Sequence, residues 1–167
     1  HGINNKLPLI QELEKFGKVF ISSEGQMAEE FDKYKIKVPS EKIHSLLYYA
    51  TLCVGEGATM AVESAILGTP SIYVSSLAGS MGNFSELEEN YGLLFNYSNS
   101  EAALKKAVEL LKDPELKKTW GLKRDALLRD KVDVTEFMVK LIEGIPGEKR
   151  GEKKGFSVSK VSDESHV

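Results

Sequence analysis

Thr51-Leu52-Cys53-Val54-Gly55-Glu56-Gly57-Ala58-Thr59-Met60-Ala61-Val62-Glu63-Ser64-Ala65-Ile66-Leu67-Gly68-Thr69-Pro70-Ser71-Ile72-Tyr73-Val74 reads as strand, glycine turn, helix, strand. The run at 51–54 is short and apolar, as suits a parallel strand buried on both faces, and Gly55 and Gly57 bracket a tight loop. Residues 58–67 have helix-forming composition closed by Gly68 and Pro70, and 71–74 is a second apolar strand. A strand feeding a helix through such a turn sets unpaired N–H groups and the positive helix end at the carboxyl edge of the sheet, where phosphate binds. The turn is therefore the first candidate site.

Working outward, Leu9, Ile10, Leu13 and Phe16 are helically spaced behind Pro8, Gly17 closes that helix, and 18–23 reads as a strand with Ser22, Ser23 and Glu24 at its carboxyl end. A short helix at 27–33, a short strand at 34–38 and a helix opened by Pro39-Ser40 lead into the quoted stretch. Beyond Val74 come a small-residue loop at 75–83, a polar helix near 85–90 and a strand near 93–96. Ser98 with Glu101 has the capping-box pattern for a helix at 102–111. Asp113-Pro114 separates it from a helix reaching about 129, and Asp133 with Glu136 opens a last one ending near 143. Strands alternating with helices on short loops imply an α/β fold whose parallel sheet is covered on both faces. From Glu148 the text is too polar to bury a core, so the expected organisation is a folded domain at 1–143 and a disordered polar tail at 144–167.

A chain of 167 residues with 41% hydrophobic content suffices for one domain with a sizeable core. The net charge of −3 comes from interspersed lysine and glutamate, which favours neither a nucleic-acid partner nor a membrane surface. The lone Cys53 excludes an internal disulfide framework and a cysteine-based zinc cluster, and inside an apolar strand it reads as a reduced thiol of a cytoplasmic protein. No apolar run approaches the ~20 residues that span a bilayer. No metal is assigned.

Thr59 and Glu63 are four apart and share one helix face about 5.4 Å apart. The N–H groups of Gly57, Ala58 and Thr59, with the Thr59 hydroxyl, suit a diphosphate, and the Glu63 carboxylate can accept two hydrogen bonds from a ribose diol. The alternative is structural: Thr59 caps the helix and Glu63 is a solvated acid complementing its dipole. Glu56 would repel phosphates beside it unless a cation intervened, so it is read as structural, accepting from the loop backbone. His44, one turn from Tyr48, reads as a hydrogen-bonding residue on a helix surface rather than a base. In the loop of Ser76, Gly79, Ser80, Gly82 and Asn83, small residues allow close approach of a ligand or simple flexibility, and Asn83 has the longest polar reach. Neither a Gly-x-Ser-x-Gly elbow nor a Gly-x-x-x-x-Gly-Lys-Ser/Thr loop is present, which removes hydrolase and kinase or GTPase readings.

The pattern Gly57-Ala58-Thr59, Glu63, Gly68-Thr69-Pro70 resembles the sugar-nucleotide signature of GT-B-type glycosyltransferases and of non-hydrolysing UDP-N-acetylglucosamine 2-epimerases. The wider text, from Ile43-His44-Ser45-Leu46-Leu47-Tyr48-Tyr49-Ala50 through Tyr91-Gly92-Leu93-Leu94-Phe95, is similar to an uncharacterised GT-B-like prokaryotic family, domain-of-unknown-function family 354, over about residues 6–142. The resemblance implies a Rossmann-like three-layer sandwich forming one GT-B half, the carboxyl-terminal one that binds the donor. The chain, opening at His1 without methionine, is accordingly read as a fragment whose partner is an amino-terminal half. The implied ligand is a nucleoside-diphosphate sugar, UDP-linked, with no cofactor. The implied binding set is Gly57, Ala58, Thr59, Met60 and Glu63, with Val38 in a loop with Lys37 and Pro39 that holds the base through backbone groups, and Asn83 near the sugar. Catalytic groups in both families come largely from the other half, so none is named. Two alternatives stay open: a UDP-N-acetylglucosamine 2-epimerase-like enzyme, and a nucleotide-binding domain without turnover.

Overall fold

The computed structural model describes residues 3, 6–23, 25–76 and 82–144, without the side chains at 82 and 83. The chain divides into two compact units, residues 1–131 and 132–167. The first holds helices α1 (Lys6–Leu13), α2 (Ile43–Tyr49), α3 (Ala58–Ile66), α4 (Gly82–Ser85), α5 (Ser100–Leu111) and α6 (Leu116–Asp130), with strands β1 (Cys53–Gly55), β2 (Ser71–Val74) and β3 (Leu94–Tyr97). The strands form a parallel sheet in the order β1-β2-β3, with Val54 opposite Ile72 and Ile72 opposite Phe95. This is a Rossmann-like α/β domain.

Every residue of β2 is buried. Because neighbouring side chains on a strand point to opposite faces, both faces of the central strand are covered, which is why Ser71-Ile72-Tyr73-Val74 is a continuous run rather than an alternating one. Helices α3 and α5 pack against the sheet. Ala61 and Ala65 of α3 and Ala103 and Ala107 of α5 join the core around Ile72, Val74, Leu93 and Leu94, their small side chains allowing close helix-on-sheet contact. Trp120 of α6 is buried and its indole donates to the Leu93 carbonyl at 3.0 Å, fastening the start of β3.

α3 ends in a Schellman arrangement: Gly68 N–H donates to Ala65 O and Thr69 N–H to Ser64 O, both at 3.0 Å, with Gly68 at φ +81°. A side chain at Gly68 would be strained in φ and crowded by Arg124 Cδ at 3.2 Å, so glycine is required there. Pro70 follows and its carbonyl accepts from Cys53 N–H, joining the exit of the helix to the start of β1.

The sequence predicts further strands at 18–23 and 34–38, but the structure forms only a parallel bridge, Ile21 with Lys35. Ile21 N–H donates to Tyr34 O and Ile36 N–H to Ile21 O, and the pairing stops there. Phe20 is 49% exposed, so the apolar residues of 18–23 have little cover to hold a longer ladder. The short helix expected at 27–33 is a 3₁₀ segment, Glu29–Tyr34, and the one expected after Pro39 starts as a 3₁₀ turn, Ser40–Lys42, before α2. The cap of α5 is Asn99, whose side chain accepts from Ala102 N–H at 2.9 Å, rather than Ser98, while Glu101 pairs with Lys105. The polar helix after the loop continues α4 as a π-helical turn, Glu86–Asn90. Its Glu88 accepts from the backbone and side-chain N–H groups of Asn96, tying that turn to β3.

In the second unit the structure describes α7 (Val134–Gly144), capped by Asp133, whose carboxylate accepts from Glu136 N–H at 2.9 Å as the sequence predicts. The tail expected at 144–167 lies, beyond Gly144, outside the described residues.

Candidate functional site

The turn between β1 and α3 supplies amides that are bare among the described residues. Gly57 occupies the N-cap at φ −80° and ψ 107°, and Ala61 is the first residue to donate back to it, at 3.0 Å. The N–H groups of Ala58, Thr59 and Met60 therefore open from the helix end without an intrahelical acceptor. These three, together with the positive end of the α3 dipole, form the anion-favouring part of the site. Neither Gly55 nor Gly57 is forced by packing or φ, since an added Cβ would find only ordinary contacts at 3.9 Å. Their missing side chains leave the backbone open to approach. Thr59 is exposed and caps nothing, because Gly57 already holds the cap position.

Glu63 stands one turn further along α3, partly buried with 36% of its side chain exposed. Its Oε2 lies 3.3 Å from His44 Nε2 on α2, which packs against α3. Nothing in the sequence marks this pairing, because the two residues belong to different helices and share no periodicity. Glu56, by contrast, is engaged by the start of the chain: its carboxylate accepts from Ile3 N–H and lies 3.5 Å from Lys6 Nζ. It is structural, but its backbone partner belongs to the start of the chain instead of its own loop.

Val38 lines a cavity of about 280 Å³ whose walls include Ser22, Ser23, Lys35, Ile36, Ser40 and Ile43. The Ile21–Lys35 bridge contributes to its wall, and Ile43 directly precedes His44, so the first turn of α2 is common to this cavity and to the Glu63 pair. The loop expected to hold a base thus borders a hollow next to the helix carrying the carboxylate's partner. Asn83 belongs by its backbone to α4, and its side chain, like residues 77–81 of the loop before it, lies outside the described residues.

A second cavity, about 370 Å³, is lined by Tyr48, Tyr49, Leu67, Gly68, Lys117, Gly121 and Arg124. It sits at the opposite end of α3, some 13 Å from the bare amides at 1.5 Å rise per residue. Its lysine is already used. Lys117 Nζ donates to Tyr48 O at 2.9 Å, Ala50 O at 2.8 Å and Thr69 Oγ1 at 3.0 Å, while Thr69 Oγ1 donates to Leu47 O at 2.8 Å. These bonds satisfy carbonyls that the end of α2 leaves free. Burial, and secondarily the charge of Arg124, push the Lys117 ammonium below its usual range. This place is a structural joint. Burial likewise pushes the Cys53 thiol up, away from a reactive thiolate. Among the described residues no group of three or more His, Cys, Asp or Glu side chains is placed to hold a metal ion. No helix among them is long and apolar enough to cross a membrane.

Residues 5–141 match the family described as Protein of unknown function (DUF354), and the chain belongs to that family. No curated protein matches it. Among solved structures it is similar to one described as "Crystal Structure Analysis of the Glycotransferase of kitacinnamycin", with a TM-score of 0.50 at 17% identity, over 83% of this chain. The chain spans 39% of the length of that structure. At this identity the likeness is one of fold, and it agrees with the Rossmann-like α/β reading.

Proposed function

We propose that this member of the DUF354 family is the donor-binding half of a GT-B glycosyltransferase-like protein and that it binds a UDP-sugar for hexosyl transfer. The observation that carries the reading is the placement of Glu63 one turn behind the N–H groups of Ala58, Thr59 and Met60, which have no intrahelical acceptor. Diphosphate oxygens would accept from those amides and from the exposed Thr59 hydroxyl, and the ribose diol would donate to the Glu63 carboxylate. The cavity beside Val38 has room for a pyrimidine, held by backbone groups at 37–39, and Asn83 would reach the sugar. The fold shared with a glycotransferase supports the choice of ligand class. On this reading the acceptor site and the catalytic groups belong to an amino-terminal half, the binding domain runs over 1–143 with a polar tail after it, and the protein works in the cytoplasm with Cys53 reduced.

The test is calorimetric titration with UDP. Glu63→Gln keeps the volume and removes the charge that strengthens two hydrogen bonds, so affinity should fall about tenfold to a hundredfold. The melting temperature should stay unchanged, because the carboxylate is partly exposed and its partner is a surface histidine. An unchanged dissociation constant would return Glu63 to the role of a helix-dipole acid. Absence of UDP binding at millimolar concentration in the parent would remove the nucleotide reading altogether.

A further inference from the structure

A glutamate side chain on a helix is free to sample several rotamers, and holding it toward a ligand costs conformational entropy at the moment of binding. Glu63 has a neighbour placed to reduce that cost. His44 Nε2 stands 3.3 Å from Glu63 Oε2, and the histidine comes from a different helix, so the contact joins the carboxylate to α2 across the α2–α3 interface. The imidazole nitrogen faces Oε2, the carboxylate oxygen it would engage by donating. His44 is itself 65% exposed, which makes a core-packing role a poor account of its position. It also follows Ile43, a wall of the cavity beside Val38, so the pair and that cavity share the first turn of α2.

We propose that His44 is a positioning residue that sets sugar specificity: by holding one oxygen of Glu63, it presents the carboxylate to a vicinal ribose diol and makes the site prefer ribonucleotides to 2′-deoxyribonucleotides. This rests on the ribose reading of Glu63. The carboxylate reads the diol by accepting from both hydroxyls, a bond pattern that a 2′-deoxy sugar cannot complete. If its direction were unconstrained, the carboxylate could turn toward the remaining 3′-hydroxyl or to water, and the penalty for the missing 2′-hydroxyl would shrink.

The experiment uses the complete protein that carries this chain and titrates it with UDP and with 2′-deoxy-UDP, in the parent and in His44→Ala, His44→Gln and Glu63→Gln. In the parent UDP should bind more tightly than the deoxy form. His44→Ala should weaken UDP about fivefold to tenfold, the scale of one side-chain hydrogen bond, and leave 2′-deoxy-UDP within about twofold, so that discrimination collapses. His44→Gln, whose amide can donate to the same oxygen without charge, should recover most of the discrimination. The double variant of His44→Ala with Glu63→Gln should be no worse than Glu63→Gln alone, since the histidine acts only through the carboxylate. Equal weakening of both nucleotides by His44→Ala, or an additive double variant, overturns the proposal while leaving the ribose reading intact provided Glu63→Gln alone abolishes discrimination. A parent that does not discriminate, or a Glu63→Gln variant that still does, overturns the ribose reading and this proposal with it.

Discussion

Val19-Phe20-Ile21 and Ile72-Tyr73-Val74 have nearly the same appetite for a strand, and each follows a segment closed by glycine, yet the structure treats them differently. The second becomes β2, paired on both edges and buried on both faces, with Ile72 and Val74 fully removed from water. The first is held at one bridge and leaves Phe20 half exposed. What separates them is the supply of partners: β2 has β1 and β3 beside it and α3 and α5 against the sheet, whereas among the described residues 18–23 pairs only with 34–38. Strand formation is here a property of packing rather than of the segment. The difference bears on function as well, because the turn with the bare amides hangs from the sheet, while the cavity beside Val38 is walled by the loosely paired 18–38 region.

The comparison can be broken most directly by truncating its two halves. Ile72→Ala should cost about 2–5 kcal/mol in urea unfolding, as removal of a fully buried side chain from a packed core does. Phe20→Ala should cost about 1 kcal/mol or less, the scale of a half-exposed site, and equal losses in the two variants would show that 18–23 is core strand after all. A middle effect is expected at the joint that holds α2 to the entrance of β2. Thr69→Val keeps the shape but removes the hydroxyl that donates to Leu47 O and accepts from Lys117, so it should cost about 1–3 kcal/mol. A neutral Thr69→Val would mean that water or Lys117 alone satisfies those carbonyls. The smallest effect is expected from the polar text after Gly147, whose composition offers little to bury. Ending the chain after Gly147 should move the melting temperature by less than about 2 °C, and a loss of several degrees would place the polar segment on the fold.

The quoted stretch was legible because its signals are local. A short apolar run, a glycine turn, alanine-rich helical text and Gly68-Thr69-Pro70 each report on the residues beside them, and α3 and β2 lie where they predict, while β1 starts two residues later than expected, at Cys53, takes in Gly55 and is only partly buried. The cap of α7 by Asp133 was legible for the same reason. The cap of α5 was misplaced by one residue because Ser98, Asn99 and Ser100 are all competent caps and only the backbone geometry chooses Asn99. In the candidate site, the amides of Ala58, Thr59 and Met60 and the position of Glu63 follow from the start of one helix and its period. His44 beside Glu63, Glu56 turned toward Ile3 and Lys6, and Lys117 beneath the end of α2 all join residues distant in the chain.

By itself, then, the sequence determined the α/β alternation, the glycine turn that opens the end of α3, the glycine at positive φ that closes it, and the helical spacing of the candidate phosphate and ribose contacts. Those are set by backbone sterics and by side-chain periods of 2 and 3.6, which act over a few residues. Only the tertiary structure decided which apolar runs became strands, which cavity shares the first turn of α2 with the Glu63 pair and which is a structural joint, and that Glu63 faces His44. Each of these depends on contacts between segments far apart in the chain, and their free energy exists only once cover, partners and burial are assembled together.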